Sequence, residues 1–165
     1  MMDINTRVHL VAHYAINIIT VTEHTQIIDH LIKAGGLKIL TEFLHSMVEE
    51  TVKHTLFGLS NIGAGCPAHA EAVLRDEALM YRILTLLGHR SSVIKNEAAW
   101  ALIQALNTAS YQERRDFHCK YRREYMKKLV ASLINFREMN VDLILAFVNT
   151  LNNLLDLDLT DNVYN

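Results

Sequence analysis

Four side-chain amides recur at nearly equal intervals along this sequence. Asn17, Asn61, Gln104 and Asn149 are separated by 44, 43 and 45 residues. A carboxamide both donates and accepts hydrogen bonds. A row of them can therefore hold the N–H and C=O groups of an extended peptide without reading its side chains. Four residues before each amide stand His13, Phe57, Trp100 and Leu145. On a helix that is one turn back along the same face. Phe57 and Trp100 are large aromatics, and such rings hold the methylene stem of Lys or Arg and attract its charge. Glu97, one turn before Trp100, is placed to receive that charge. His54 holds the corresponding place before Phe57. The chemistry is non-covalent capture of a basic, extended chain.

These residues need long helices to hold them in phase. Apolar residues at three- and four-residue spacing predict helices over 5–20, 25–33, 37–47 and 49–62. Gly63-Ala64-Gly65 is expected to end the last of these, since glycine suits a left-handed helix cap. Pro67 opens a helix to Arg75, where its missing N–H costs little. Further helices are predicted over 79–87, over 93–109 behind Ser91 or Ser92 as a cap, and over 111–121, 124–135 and 140–155. Asp156, Asp158 and Asp161 are read as a frayed acidic tail. No strand is required.

Other segments repeat with the amides. Lys38-Ile39-Leu40-Thr41 returns as Arg82-Ile83-Leu84-Thr85, and His45 as His89, each 44 residues later. A period of about 40–47 residues with two or three helices per unit is the armadillo/HEAT signature. The expected fold is therefore all-α: an α-solenoid, a right-handed superhelix of armadillo repeats. It comprises one domain over residues 1–157, with a leading helix over 5–20, units near 22–65, 66–109 and 110–155, and a short acidic tail over 158–165. In such a solenoid the third helix of each unit lines the concave face, so the amides would form one ladder there.

Composition agrees with this architecture. Half of the 165 residues are hydrophobic and 7% aromatic, with one proline and six glycines. A β-sandwich would need turn residues far more often. The net charge of −2 speaks against a generic nucleic-acid binder. No apolar run reaches the ~18 residues of a membrane span, and no secretory signal is visible at the start. Cys66 and Cys119 form no CxxC pair, which suits a reducing compartment.

At the ladder the sequence resembles importin-α, the armadillo adaptor for nuclear localisation signals. Leu59-Ser60-Asn61-Ile62-Gly63-Ala64-Gly65 resembles that family's helix-end motif, in which a Trp stands four before the Asn. Lys95-Asn96-Glu97-Ala98-Ala99-Trp100-Ala101-Leu102 resembles its Lys-x-Glu-Ala-Ala-Trp-Ala-Ile. Ala72-Val73-Leu74 and Arg82 to Leu87 fit its connecting helices, and Leu145 to Leu155 its closing helix. The similarity spans roughly residues 8–157 and is best to the family's C-terminal half, which bears the minor signal-binding groove. Phe57 stands where that family has Trp, and Gln104 where it has Asn. The resemblance implies a binder of Lys/Arg-rich cargo peptides through Asn17, Phe57, Asn61, Glu97, Trp100, Gln104 and Asn149. It also implies a place in cytoplasm and nucleus, and export-receptor contacts at the C-terminal unit. The family's basic N-terminal arm has no counterpart, so coupling to importin-β is not expected.

Other constellations carry less. His9 and His13 have a zinc-compatible spacing, but neither begins an HExxH motif and no third ligand is at hand. Cys119 beside His118 is not a nucleophile pair, because adjacent helical residues diverge by about 100°. No phosphate-binding glycine loop or catalytic triad is present, so no enzyme, cofactor or metal is expected. Residues 114–128 hold seven of the sixteen basic residues, including Arg114, Arg115, Arg122, Arg123, Lys127 and Lys128, against two acids. With Tyr121 and Tyr125 interleaved, this stretch is an alternative surface for RNA or an acidic tail. A third reading is a scaffold that self-associates through open solenoid ends, using Val8, Val11 and Ile19 at one end and Leu143, Leu151 and Leu154 at the other.

Overall fold

A computed structural model describes residues 25–133 and 141–163. Its eight helices are α1 (Thr25–Lys33), α2 (Gly36–Phe43), α3 (Glu49–Gly65), α4 (Pro67–Arg75), α5 (Glu77–Leu86), α6 (Ser92–Thr108), α7 (Tyr111–Leu133) and α8 (Val141–Val163). No strand occurs among the described residues. The leading helix expected over 5–20 lies outside them.

Local chemistry sets most boundaries. Gly35 adopts a left-handed conformation, φ 83°, and turns the chain tightly between α1 and α2. Asp76 caps α5 by accepting the Leu79 N–H at 3.0 Å, so that helix starts two residues earlier than its apolar pattern suggests. Ser91 occupies the cap position of α6, but its side chain makes no capping hydrogen bond. Its N–H instead donates to His89 Nδ1 at 3.1 Å.

The end of α3 corrects the sequence reading. The helix runs through both glycines to Gly65, and neither is left-handed. Pro67 ends it, by holding Cys66 in an extended conformation. Gly63 serves packing instead. A Cβ placed on it would lie 3.0 Å from the backbone nitrogen of Ala105 and 3.1 Å from its Cα. Glycine thus lets α3 and α6 meet backbone to backbone. The buried Ala98, Ala99, Ala101 and Ala105 give α6 the same small profile.

Two further expectations change. The helices expected over 111–121 and 124–135 are one, α7, because the charged residues between them contain no glycine or proline to break the backbone. Helix α8 likewise continues through Asp156, Asp158 and Asp161, where leucine alternates with aspartate and no breaker intervenes. The acidic segment is helical, not frayed.

The long helices α3, α6 and α8 stack in sequence, with α4, α5 and α7 against α6. Leu56, Leu59, Ile62, Val73, Leu79, Ile83, Leu102 and Leu106 are fully buried in one continuous cluster. Polar links step from unit to unit. His69, itself buried, donates from Nε2 to Asp29 at 2.7 Å. Arg75 donates from Nε to the buried Glu113 at 2.9 Å, and Thr150 donates to Asn107 Oδ1 at 2.9 Å. Arg82 donates from Nε and Nη2 to the Leu44 carbonyl, at 3.0 and 2.8 Å, and so satisfies the end of α2. Arg82→Ala is expected to lower unfolding stability by about 1.5–3 kcal/mol, the usual worth of hydrogen bonds from a charged donor. Denaturant titration checks this. Arg82→Lys, which keeps one donor, should lose less.

Candidate functional site

A cavity of about 420 Å³ opens where α3, α6 and α8 meet. Phe57, Val93, Asn96, Glu97, Trp100, Asp142 and Leu143 line it. Helical phase explains the set. Val93, Glu97 and Trp100 succeed one another at four and three residues on α6, so they share one face. Phe57 faces them from α3 and is 40% exposed. Asp142 and Leu143 come from the first turn of α8. Trp100 is half-buried: part of its ring packs on the core and part faces the cavity.

The amides lie one turn along from these groups. Asn61 and Gln104 are half-buried and Asn149 is exposed, as are Asn152 and Asn153. None of them lines the cavity. The structure thus brings Phe57, Glu97 and Trp100 together around one space, with Asn61 and Gln104 a helical turn beyond. Asn17 lies outside the described residues, as do His9 and His13.

Glu97 sits in a partly buried setting with charges of both signs nearby. Burial pushes the Glu97 carboxyl above the ordinary glutamate range, and the nearby Lys53 and His54 pull it partway back. Glu50 bridges to Lys53 at 2.6 Å and to His54 at 2.9 Å. The hydrogen bond from Lys53 holds the Glu50 carboxyl below its usual range. The Lys53 ammonium near the site is therefore already paired with Glu50. Glu97 and Asp142 remain the acids on the cavity wall.

The raised Glu97 value has consequences for stability and binding. A carboxyl more easily protonated when folded than when unfolded stabilises the fold at low pH. That contribution is lost as pH rises through the folded-state value. At pH 7 the ionised Glu97 therefore costs stability. Glu97→Gln is expected to raise the melting temperature at pH 7 slightly, because the neutral amide avoids the desolvation that burial imposes on the carboxylate. The gain should vanish near pH 4, where both side chains are neutral. Melting curves across pH 4–8 check this.

Asp142 and Asn96 went unmarked as site residues in the sequence. The signal for Asp142 was present: it stands 45 residues after Glu97 and three before Leu145, repeating the spacing of Glu97 to Trp100. Asn96 lies inside the Lys95–Leu102 segment but has no counterpart amide in α3 or α8 to single it out.

The basic stretch is in part engaged in the fold. Arg114 donates to the Ala109 carbonyl at 2.8 Å, and Lys128 to the Leu84 carbonyl at 2.8 Å. Lys120 pairs with Glu77. Arg115, Arg122, Arg123 and Lys127 are exposed. Tyr125 is fully buried, its ring centroid 5.1 Å from that of Phe117, and its hydroxyl meets His118. It offers no stacking surface to a nucleic acid. Tyr121 packs on Phe117 at 5.0 Å. His118 is buried and Cys119 exposed, so the two point apart. Leu143, assigned above to an open end, is buried against the cavity. The side chains of Leu151 and Leu154, and residues Val8, Val11 and Ile19, lie outside the described ones. Among the described residues no group of three His, Cys, Asp or Glu could hold a metal, and no helix is long and apolar enough to cross a membrane.

Sequence comparison matches the chain to no protein family and to no curated protein. Solved structures do match. One is "Designed armadillo repeat protein YIII(Dq.V1)4CPAF in complex with peptide (KR)4", with a TM-score of 0.71 at 19% identity. The likeness covers 90% of this chain, which spans 63% of the length of that protein. The fold is therefore an all-α armadillo solenoid.

Proposed function

We propose that this armadillo solenoid is a non-enzymatic, protein-binding adaptor whose groove takes a basic linear peptide. The observation that carries the reading is the shared cavity. Phe57 and Trp100 supply rings from neighbouring long helices, and Glu97 and Asp142 supply negative charge on the same wall. A Lys or Arg stem fits between rings, where its charge is attracted both by their faces and by the carboxylates. Asn61, Gln104 and Asn149, with Asn17 ahead of them, would hold the peptide backbone. In this reading the units over 22–65, 66–109 and 110–155 each contribute one step of the groove, behind the leading helix. The designed neighbour was solved with an alternating Lys/Arg peptide, which supports this class of ligand.

The finer form of the proposal follows the resemblance to importin-α. The cargo peptide would be a nuclear localisation signal, met in the cytoplasm and carried to the nucleus, with an export receptor at the C-terminal unit. Calorimetry with a (Lys-Arg)4 peptide, a Glu/Ser peptide of equal length and single-stranded RNA separates the readings. One-to-one binding of the basic peptide alone, unchanged by Arg122→Glu, is expected. Binding of RNA that Arg122→Glu abolishes would move the function to residues 114–128. A dimer in light scattering with no peptide bound would favour the self-associating scaffold.

A further inference from the structure

The three long helices carry one pattern at i, i+3 and i+7. It reads His54, Phe57 and Asn61 in α3, then Glu97, Trp100 and Gln104 in α6, then Asp142, Leu145 and Asn149 in α8. The outer places keep their character from α6 to α8: an acid at the first and an amide at the last. The middle place does not, since an aliphatic side chain replaces the ring. Leu145 is 57% exposed. Val141, one turn before it on the same face, is 67% exposed. The counterpart of Val141 in α6 is Asn96, which lines the cavity. The wall beside the cavity thus changes from a ring and an amide to two exposed aliphatics, while Asp142 ties that wall to the cavity itself.

An aliphatic surface has no ring quadrupole to attract a cation. It does gain from covering another apolar side chain. An extended peptide advances about 3.3–3.6 Å per residue, and packed helices lie about 8–10 Å apart. Two to three residues therefore span neighbouring long helices. Alternate side chains of an extended chain point the same way, so a step of two keeps both side chains on the groove.

Building on the peptide-binding reading above, we propose that the groove selects a peptide carrying one Lys or Arg and, two residues away, a Leu, Ile or Val. The cation enters the cavity between Phe57 and Trp100, and the aliphatic side chain seats on Leu145 and Val141. The acids on the cavity wall, Glu97 and Asp142, commit the first position to a cation, and the uncovered aliphatics of α8 commit the second to an apolar group.

Fluorescence anisotropy of labelled octapeptides on the intact chain tests this. The Gly/Ser-flanked cores are Arg-Ser-Leu, Leu-Ser-Arg, Arg-Ser-Arg and Leu-Ser-Leu. The better of the two mixed peptides is expected to bind at least fivefold tighter than Arg-Ser-Arg, and Leu-Ser-Leu most weakly. Leu145→Glu, at an exposed position, should reverse the preference in favour of Arg-Ser-Arg, with circular dichroism confirming that the helices are intact. Arg-Ser-Arg binding as tightly as either mixed peptide would overturn the apolar subsite and leave the basic-peptide reading standing. So would a preference that Leu145→Glu leaves unchanged. Failure of all four to bind would overturn both.

Discussion

Trp100→Ala is expected to weaken binding of a Lys/Arg peptide about thirtyfold. Trp100 lines the cavity beside Glu97 on the same helix, with Asp142 and the Phe57 ring on the other walls. A cation held over a partly desolvated indole is worth about 2 kcal/mol, which converts to roughly that factor. The ring also packs on the core, so the variant will be less stable as well. Binding should therefore be measured well below its melting temperature. Trp100→Phe keeps a π face in the same place and is expected to lose less than about fivefold, since a smaller ring still attracts the cation. Equal losses for alanine and phenylalanine would mean that size, and not the ring face, matters. The readout is anisotropy of a labelled peptide, because these variants lack the native chromophore.

Gly63→Ala should carry a clear stability cost for a change of one methyl group. The added carbon would press on the backbone of Ala105, which cannot rotate away as a side-chain tip would. The two long helices must separate or shift, at about 1–3 kcal/mol. For a chain of this size that lowers the melting temperature by about 2–4 °C per kcal/mol. Gly88→Ala is the control. Its added carbon would meet nothing closer than the Thr85 carbonyl oxygen at 3.6 Å, and no positive φ strains it. That change should be neutral or stabilising by up to about 1 kcal/mol. A Gly63→Ala protein as stable as Gly88→Ala would show that α3 and α6 are not in backbone contact. Because the groove spans both helices, Gly63→Ala should also weaken peptide binding by displacing Phe57 relative to Trp100.

The repeat was legible in the sequence because the same side-chain types return at one interval. Phe57, Glu97 and Trp100 could be assigned to one site from that interval alone. Asp142 is harder to read from the sequence, because Leu145 stands beside it where the other two long helices carry a ring. Gly63 is hard to read too. A glycine near a helix end has two physical uses, a left-handed cap and a close approach, and only the position of Ala105 on a distant segment decides between them. Tyr125 and Lys128 looked available because a run of charges suggests a solvated face. Yet α7 crosses α5 and turns Lys128 onto the Leu84 carbonyl, while Tyr125 goes into the core. The helices over 111–133 and past Leu155 run longer than their apolar patterns suggest, because neither segment holds a glycine or proline to break the backbone.

The sequence contains a single tryptophan, and it is the residue at the centre of the site. Its emission therefore reports on the groove with no background from other indoles. Titrating the intact chain with an alternating Lys/Arg peptide should produce a saturable change in Trp100 emission. A Glu/Ser peptide of the same length should produce none, and Glu97→Gln should shift the curve to higher peptide concentration. Peptide binding that is evident by calorimetry yet leaves Trp100 emission unmoved would place the ligand elsewhere and contradict the account.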